Sequence, residues 1–115
     1  TDFNAISGPD YVTDTWSDAW DDDADAQKNG FISAYASSEA NEDFVELMSI
    51  YVTNPASYWN NIIKNAGEGA AKINAKFEIV YNYMLNSWNI DLNELRDVIQ
   101  ERQAQIGTLD LETLN

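Results

Sequence analysis

The stretch FISAYASSEANEDFVELMSIYV, residues 31–52, decides the fold because its second half carries a helical pattern. Apolar side chains recur there at spacings of three and four residues, which form one face of an α-helix: Phe44, Leu47, Met48, Tyr51 and Val52. Ser37 or Ser38 is a suitable N-cap, and Glu42 would then lie near the positive end of the helix dipole. The pattern predicts an amphipathic helix that follows these serines.

Helical spacing continues in three further segments, which run from Asn54-Pro55 to Gly67, from about Ala70 to Trp88, and from Asp91 to Gly107. Asn54 is expected to cap its helix with Pro55 at the first helical position, and Asp91 with Glu94 makes a capping-box-like pair. The tail TLDLETLN is expected to be a short turn or a frayed end. With no alternating run long enough for a sheet, the sequence predicts an all-α array of about four helices, in a lobe spanning residues 31–115.

Residues 1–30 differ from the rest and are predicted to form an aromatic and acidic segment with a short helix and a loop. A short helix is expected here because the aromatic and neighbouring residues lie near helical spacing: Tyr11, Thr15, Trp16 and Trp20. The acidic run from Asp18 to Asp25 is expected to be a loop. The four tryptophans could form an aromatic platform for sugars, but helical spacing is more typical of core residues, which is the favoured interpretation. Some of them would be exposed here if they face another part of a longer protein.

The aspartates at positions 21, 23 and 25 have the alternate spacing of a calcium-binding loop. Such a loop needs glycine at its sixth position and glutamate at its twelfth. Here the sixth position is Ala26, and no glutamate stands at the twelfth. A solvated acidic loop is therefore the favoured interpretation, and Arg96 and Arg102 are interpreted as surface ion-pair partners.

The charge balance restricts the partners, because 20 acidic residues against six basic ones give a net charge of −14. Such a surface repels phosphate backbones and anionic lipid head groups, so we expect no nucleic-acid partner and no direct membrane contact. The 115 residues include neither histidine nor cysteine, which excludes a complete zinc site of the usual ligands and a Ser-His-Asp or Cys-His arrangement. The first ten residues do not resemble a signal peptide, and we expect the chain to be part of a longer protein.

Glu42 and Glu46 stand one helical turn apart, on the face opposite the apolar stripe. Two like charges at this spacing destabilise an isolated helix by about 0.2–0.5 kcal/mol. A solvated acidic face tolerates this cost readily. The alternative interpretation is that a cation offsets the repulsion, and spacing alone leaves both interpretations open.

The segment YASSEANEDFVE, residues 35–46, resembles the third-ligand segment of zinc metallopeptidases of the gluzincin type. In that family an HExxH helix supplies two histidine ligands, a later helix supplies a glutamate, and a catalytic tyrosine precedes this glutamate by seven positions. Tyr35 and Glu42 have that offset. The resemblance implies that Glu42 is a zinc ligand, that Tyr35 donates to the oxyanion of the tetrahedral intermediate, and that Glu46 orients a ligand histidine.

Three stretches carry a resemblance over most of the chain: the acidic segment rich in Tyr and Trp, GFISAYASSEANEDFVELMSIYV (residues 30–52) and NYMLNSWNIDLNELRDVIQER (residues 82–102). They are similar to the C-terminal part of zinc metallohydrolase lipoproteins of the Bacteroidetes cell envelope, which are associated with nutrient import of the SusC/SusD type. The resemblance implies a C-terminal lobe of a zincin-like metallopeptidase, whose HExxH-bearing lobe would lie N-terminal to Thr1. It further implies zinc in the longer protein, a peptide or protein substrate, a cell-envelope location, and membrane attachment only through a lipid anchor outside this chain.

The departure from this family is the absence of the HExxH segment, so we expect the 115-residue chain alone to bind no zinc and to be inactive. A hypothesis of another class is an acidic helical binding module of the cell envelope without catalysis, which would hold a glycan or a partner lipoprotein. Upstream sequence with an HExxH motif would distinguish the two hypotheses.

Overall fold

The computed structural model describes the backbone of residues 2–114 and the side chains of residues 3–106, so Thr1 and Asn115 lie outside it. Seven α-helices account for most of this part of the chain: α1 (Asp2–Ser7), α2 (Trp16–Ala19), α3 (Asp23–Lys28), α4 (Ala40–Thr53), α5 (Ala56–Ala66), α6 (Ala70–Trp88) and α7 (Leu92–Leu114). Short 3₁₀ helices form at Gly8–Asp10, Tyr35–Ser38 and Gly67–Gly69. No strand occurs within residues 2–114, and the all-α prediction is confirmed.

Helix α4 begins later than predicted, and its N-cap is Glu39, which has extended backbone angles and makes no side-chain cap. The Ser37 hydroxyl instead donates to the Ala34 carbonyl at 2.6 Å and accepts from Trp20 Nε1 at 2.8 Å. These contacts place Ser37 and Ser38 in the preceding 3₁₀ turn. The predicted serine cap is therefore wrong: both serines lie in the 3₁₀ helix before Glu39, and a tertiary contact engages the hydroxyl of Ser37.

The later helices follow the predicted order with shifted ends. Pro55 is the N-cap of α5 and not its first helical residue, whereas α6 spans the predicted Ala70–Trp88. Helix α7 continues through Leu114, so the expected end at Gly107 is wrong. One glycine costs a helix only about 1 kcal/mol relative to alanine, which is too little to terminate it.

The acidic segment is more helical than predicted. Asp22 caps α3, because its Oδ1 accepts the Asp25 amide at 2.8 Å, and the run expected to be a loop therefore contains a helix. The helix expected further upstream is reduced to the four residues of α2, and Tyr11 lies outside it.

The core lies between α4, α6, the start of α7 and the segment that follows α3. Its fully buried large apolar side chains are Phe31, Ile32, Leu47, Ile73, Val80 and Leu92. The stripe of α4 predicted from spacing faces this core. No helix in the described part of the chain has the length and apolar character needed to cross a bilayer.

An aromatic cluster joins α4, α5 and α6, with the Tyr51 ring 5.0 Å from Trp59 and 4.2 Å from Phe77. The Arg96 guanidinium lies 3.7 Å from the centre of the Tyr51 ring, and its Nε donates to the Tyr51 carbonyl at 2.9 Å. Arg96 therefore anchors α7 on α4, and its interpretation as a surface ion-pair partner is wrong. Among the tryptophans, Trp59 belongs to the core, while Trp88 is 64% exposed.

Candidate functional site

The 3₁₀ helix Tyr35–Ser38 packs against α4 and brings Tyr35 near enough to Glu42 and Glu46 for both charges to act on the pKa of its phenol. Desolvation raises the pKa of the Tyr35 phenol, and the Glu42 carboxylate raises it further through its charge and a side-chain hydrogen bond. The charges of Glu39 and Glu46 act in the same direction. The carboxylates around Tyr35 therefore favour the neutral form of its phenol.

Glu46 is partly buried one turn further along α4. Desolvation raises the pKa of its carboxyl group, and the negative charges of Asp23 and Glu42 add to this effect. The site is thus a concentration of negative charge around a neutral phenol. A cation bound at this face would relieve the repulsion among these carboxylates.

Contacts from outside α4 hold the turn that carries Tyr35. The Trp16 indole packs edge-on against the Tyr35 ring, with centroids 5.1 Å apart. Asp23 Oδ1 accepts the Ala34 amide at 2.8 Å, and the Ser33 hydroxyl accepts the Ala36 amide at 3.1 Å. Helices α2 and α3 therefore fix the direction in which Tyr35 projects.

On the inner side of α4, Asp43 forms a buried ion pair with Lys76, which the sequence did not predict. Asp43 Oδ2 lies 2.7 Å from Lys76 Nζ, and neither side chain has any exposed surface. Burial raises the pKa of Asp43 and lowers that of Lys76, while the charge of each partner opposes the shift of the other. A signal was available, because Lys76 stands three residues after Ile73 and four before Val80, while Asp43 stands four residues before Leu47.

The donor set of the site fits a zinc ion only in part. Glu42 offers a carboxylate oxygen, which zinc accepts as one of its ligands. Among the residues whose side chains are described, no three acidic side chains converge closely enough to hold a metal ion, and the sequence contains no histidine or cysteine. The calcium-loop geometry does not form either, because Asp23 and Asp25 accept backbone amides at Ala34 and Asp21.

Beside the acidic face, an apolar groove of about 450 Å³ opens between α1, α4 and α6. Its lining residues are Phe3, Asn4, Ala40, Asn41, Phe44, Val45, Ile79 and Tyr83. Val45 and Tyr83 are 51% and 47% exposed. Asn41 and Val45 each adjoin one of the two glutamates in sequence, so the groove borders the acidic face along α4.

Comparison with known proteins gives two findings. A family described as putative zinc-binding metallo-peptidases matches residues 1–93. The fold is also similar to part of a solved structure, a putative zinc-binding metallo-peptidase from Bacteroides caccae, with 35% sequence identity, a TM-score of 0.87 and 96% of this chain covered. The chain spans 42% of the length of that protein chain. No curated protein matches this sequence.

Proposed function

This chain belongs to the putative zinc-binding metallo-peptidase family, and on that premise we propose that it is a lobe of a zinc-dependent peptidase to which it contributes one metal ligand, Glu42. The observation that carries the proposal is the placement of Tyr35, 40% exposed in the 3₁₀ helix that packs against α4, where the charge of Glu42 raises the pKa of its phenol. Glu46 lies one turn further along α4, at the position of a residue that orients a histidine ligand.

When bound, the zinc ion would polarise the carbonyl group of the substrate and activate a water molecule. Tyr35 supplies a hydrogen-bond donor, because a phenol with an ordinary pKa of about 10 is protonated at neutral pH, and the raised pKa acts in the same direction. A donor fixed beside the metal ligand stabilises the negative charge that develops on the carbonyl oxygen during amide hydrolysis. Because Trp16 and Asp23 hold the turn that carries it, Tyr35 needs little reorganisation to act.

The other ligands would come from a second lobe, because this chain has no histidine. The solved relative has room for such a lobe, since 96% of this chain covers only 42% of that protein chain. The apolar groove beside the acidic face offers a surface on which such a lobe could pack. In this proposal the 115-residue chain alone is inactive and binds no zinc. The cell-envelope location, the lipid anchor, the peptide substrate and an association with SusC/SusD-type import rest on the resemblance and belong to the same proposal.

The test uses the longer protein that contains this chain, with peptide hydrolysis and zinc content measured in parallel. We expect Glu42→Ala to lose both, whereas Glu68→Ala, at an exposed glutamate of the 3₁₀ helix Gly67–Gly69, should retain both. Full hydrolysis by the Glu42 variant would contradict the proposal. A wild-type protein that neither binds zinc nor cleaves peptides would favour the alternative, an acidic binding module without catalysis.

A further inference from the structure

Two separate segments bring the candidate site together, and one ammonium group contacts both of them. Lys76 Nζ donates to the Gly30 carbonyl at 2.9 Å and lies 2.7 Å from Asp43 Oδ2. Gly30 begins the stretch that leads to Tyr35, and Asp43 is the residue after Glu42. Both halves of the site are therefore within a few residues of a bond to Lys76.

Because α4 is a helix, the ion pair between Lys76 and Asp43 also constrains the direction of the neighbouring Glu42 side chain. Consecutive residues of an α-helix project about 100° apart, so the inward direction of Asp43 determines how far Glu42 is turned toward Tyr35. Tyr11 adds a second contact on the same carboxylate, donating from its hydroxyl at 2.7 Å. A rotation of α4 about its axis would break both contacts.

The hydrogen bond from Lys76 to the Gly30 carbonyl restricts the backbone turn at Gly30. The backbone of Gly30 has φ of +94°, and a Cβ there would lie 2.7 Å from Cδ of Lys72, so the turn accommodates only glycine without movement. Lys76 Nζ also lies 4.3 Å from the centre of the Phe31 ring, directly after this turn. The start of the segment that carries Tyr35 is therefore held against α6 by the same side chain.

We propose that Lys76 is a positioning residue, which sets the approach of Tyr35 to Glu42 by holding Gly30 and Asp43 on one ammonium group. The catalytic meaning of this role rests on the proposed function. The juxtaposition itself is a property of this chain and can be measured without zinc.

Energetics favour positioning over net stabilisation. Removing two charges from water costs several kcal/mol per ion, and replacing a buried ion pair by apolar side chains is often neutral or stabilising. Burial penalises the charged forms of both Asp43 and Lys76. An apolar pair at these positions could fill the space, but it would lack the directed bonds that fix the rotation of α4 and the turn at Gly30.

The experiment compares the double variant Asp43→Leu/Lys76→Met with the wild-type chain by NMR. The readout is the nuclear Overhauser effect between the Tyr35 ring protons and the Glu42 side chain, with urea unfolding recorded for each protein. The matched control is Asp10→Leu/Lys72→Met, which makes the same chemical change in the exposed ion pair one turn earlier on α6, at 3.1 Å.

We expect the buried double variant to unfold cooperatively and to lose the Tyr35–Glu42 signal, while the surface double variant keeps it. A folded buried variant with an undiminished signal would overturn the proposal. If that variant does not fold, Asp43→Asn/Lys76→Met, which preserves the shape of the side chain at position 43 more closely, is measured against the same expectation. Failure of both to fold would also overturn it, because the pair would then serve stability and not position.

The outcome is distinguishable from failure of the proposed function. A lost Overhauser signal in a protein whose Glu42→Ala variant retains zinc would support the positioning role and reject the ligand role. In an active longer protein, displacement of Tyr35 should lower kcat, by up to about 100-fold for a shift near 1 Å, with KM little changed. An unchanged kcat in the folded double variant would contradict the catalytic part of the inference.

Discussion

The hydroxyl group of Tyr11 donates a hydrogen bond to Asp43 Oδ2 at 2.7 Å, and this bond joins the segment before α2 to the first turn of α4. Burial raises the pKa of the Tyr11 phenol, and the hydrogen bond to Asp43 and its charge add to this effect. The folded protein therefore retains the phenolic proton under conditions in which the unfolded chain loses it.

This difference predicts alkaline instability. A pKa raised by folding contributes stability that is complete below the unfolded value of 10.0 and is lost progressively as the pH rises above it. Tyr11→Phe should lower the free energy of unfolding at pH 7 by about 1–3 kcal/mol and should flatten its decline above pH 10. Urea unfolding at several pH values measures both effects. Tyr58→Phe, at an exposed tyrosine, is the control, and an equally steep decline in the Tyr11 variant would contradict the explanation.

The buried ion pair predicts strong non-additivity between two substitutions. Lys76→Met alone should destabilise the chain by about 3–5 kcal/mol, because it leaves the Asp43 carboxylate buried without its cation. Combining it with Asp43→Leu should recover much of this loss. A double-mutant cycle of urea unfolding measures the coupling, and additive effects would show that the two side chains do not form the pair.

The packing of α3 against the start of α6 predicts a steric effect at Gly69. A Cβ at this position would lie 2.0 Å from the Gln27 carbonyl oxygen and 2.7 Å from the Lys28 carbonyl carbon, both of them backbone atoms. Gly69→Ala should therefore cost about 3 kcal/mol or more, since backbone must move to admit the methyl group. Gly8→Ala is the control, because nothing lies within 4 Å of a Cβ there. Equal thermal stability of the two variants would contradict the close contact.

Tyr35 predicts a separation of catalysis from metal binding in the longer protein. Tyr35→Phe removes the donor while leaving Glu42 intact, so kcat should fall by about 10²–10³-fold and zinc content should not change. Steady-state kinetics together with metal analysis test this expectation. An unaltered kcat would remove Tyr35 from the reaction.

The sequence predicts those features of the fold that local spacing determines. The stripe of α4 identifies its buried face, and glutamates 42 and 46 lie on the other side, as the helical wheel requires. Some errors are local, since Asp22 caps a helix in the run expected to be a loop and one glycine does not end α7. Another arises where a distant residue intervenes, because Trp20 engages the hydroxyl of Ser37 and α4 begins after Glu39. The same limit explains why the pairing of Asp43 with Lys76 was not predicted, since 33 positions separate the two residues.

The candidate site, unlike the helices, follows from the family resemblance and not from local spacing. Spacing alone leaves Glu42 and Glu46 open to two interpretations, a solvated acidic face or a cation site, and only the resemblance to zinc peptidases joins them to Tyr35. The structure places these side chains next to one another, while their roles toward zinc stay predictions. Asp23 could not have been added from the sequence, because it approaches Glu46 through the packing of α3 against the segment before α4.

The zinc affinity of the longer protein tests the central claim most directly. It is measured by metal-competition titration for the wild type and for the variants Glu42→Gln, Glu46→Gln and Glu68→Gln. We predict the greatest loss of affinity for the Glu42 variant, a loss of about 10–100-fold for the Glu46 variant, and wild-type affinity for the Glu68 variant. Glutamine preserves the size of each side chain, so the comparison isolates the carboxylate. Wild-type affinity in the Glu42 variant would contradict the claim that this chain supplies a zinc ligand.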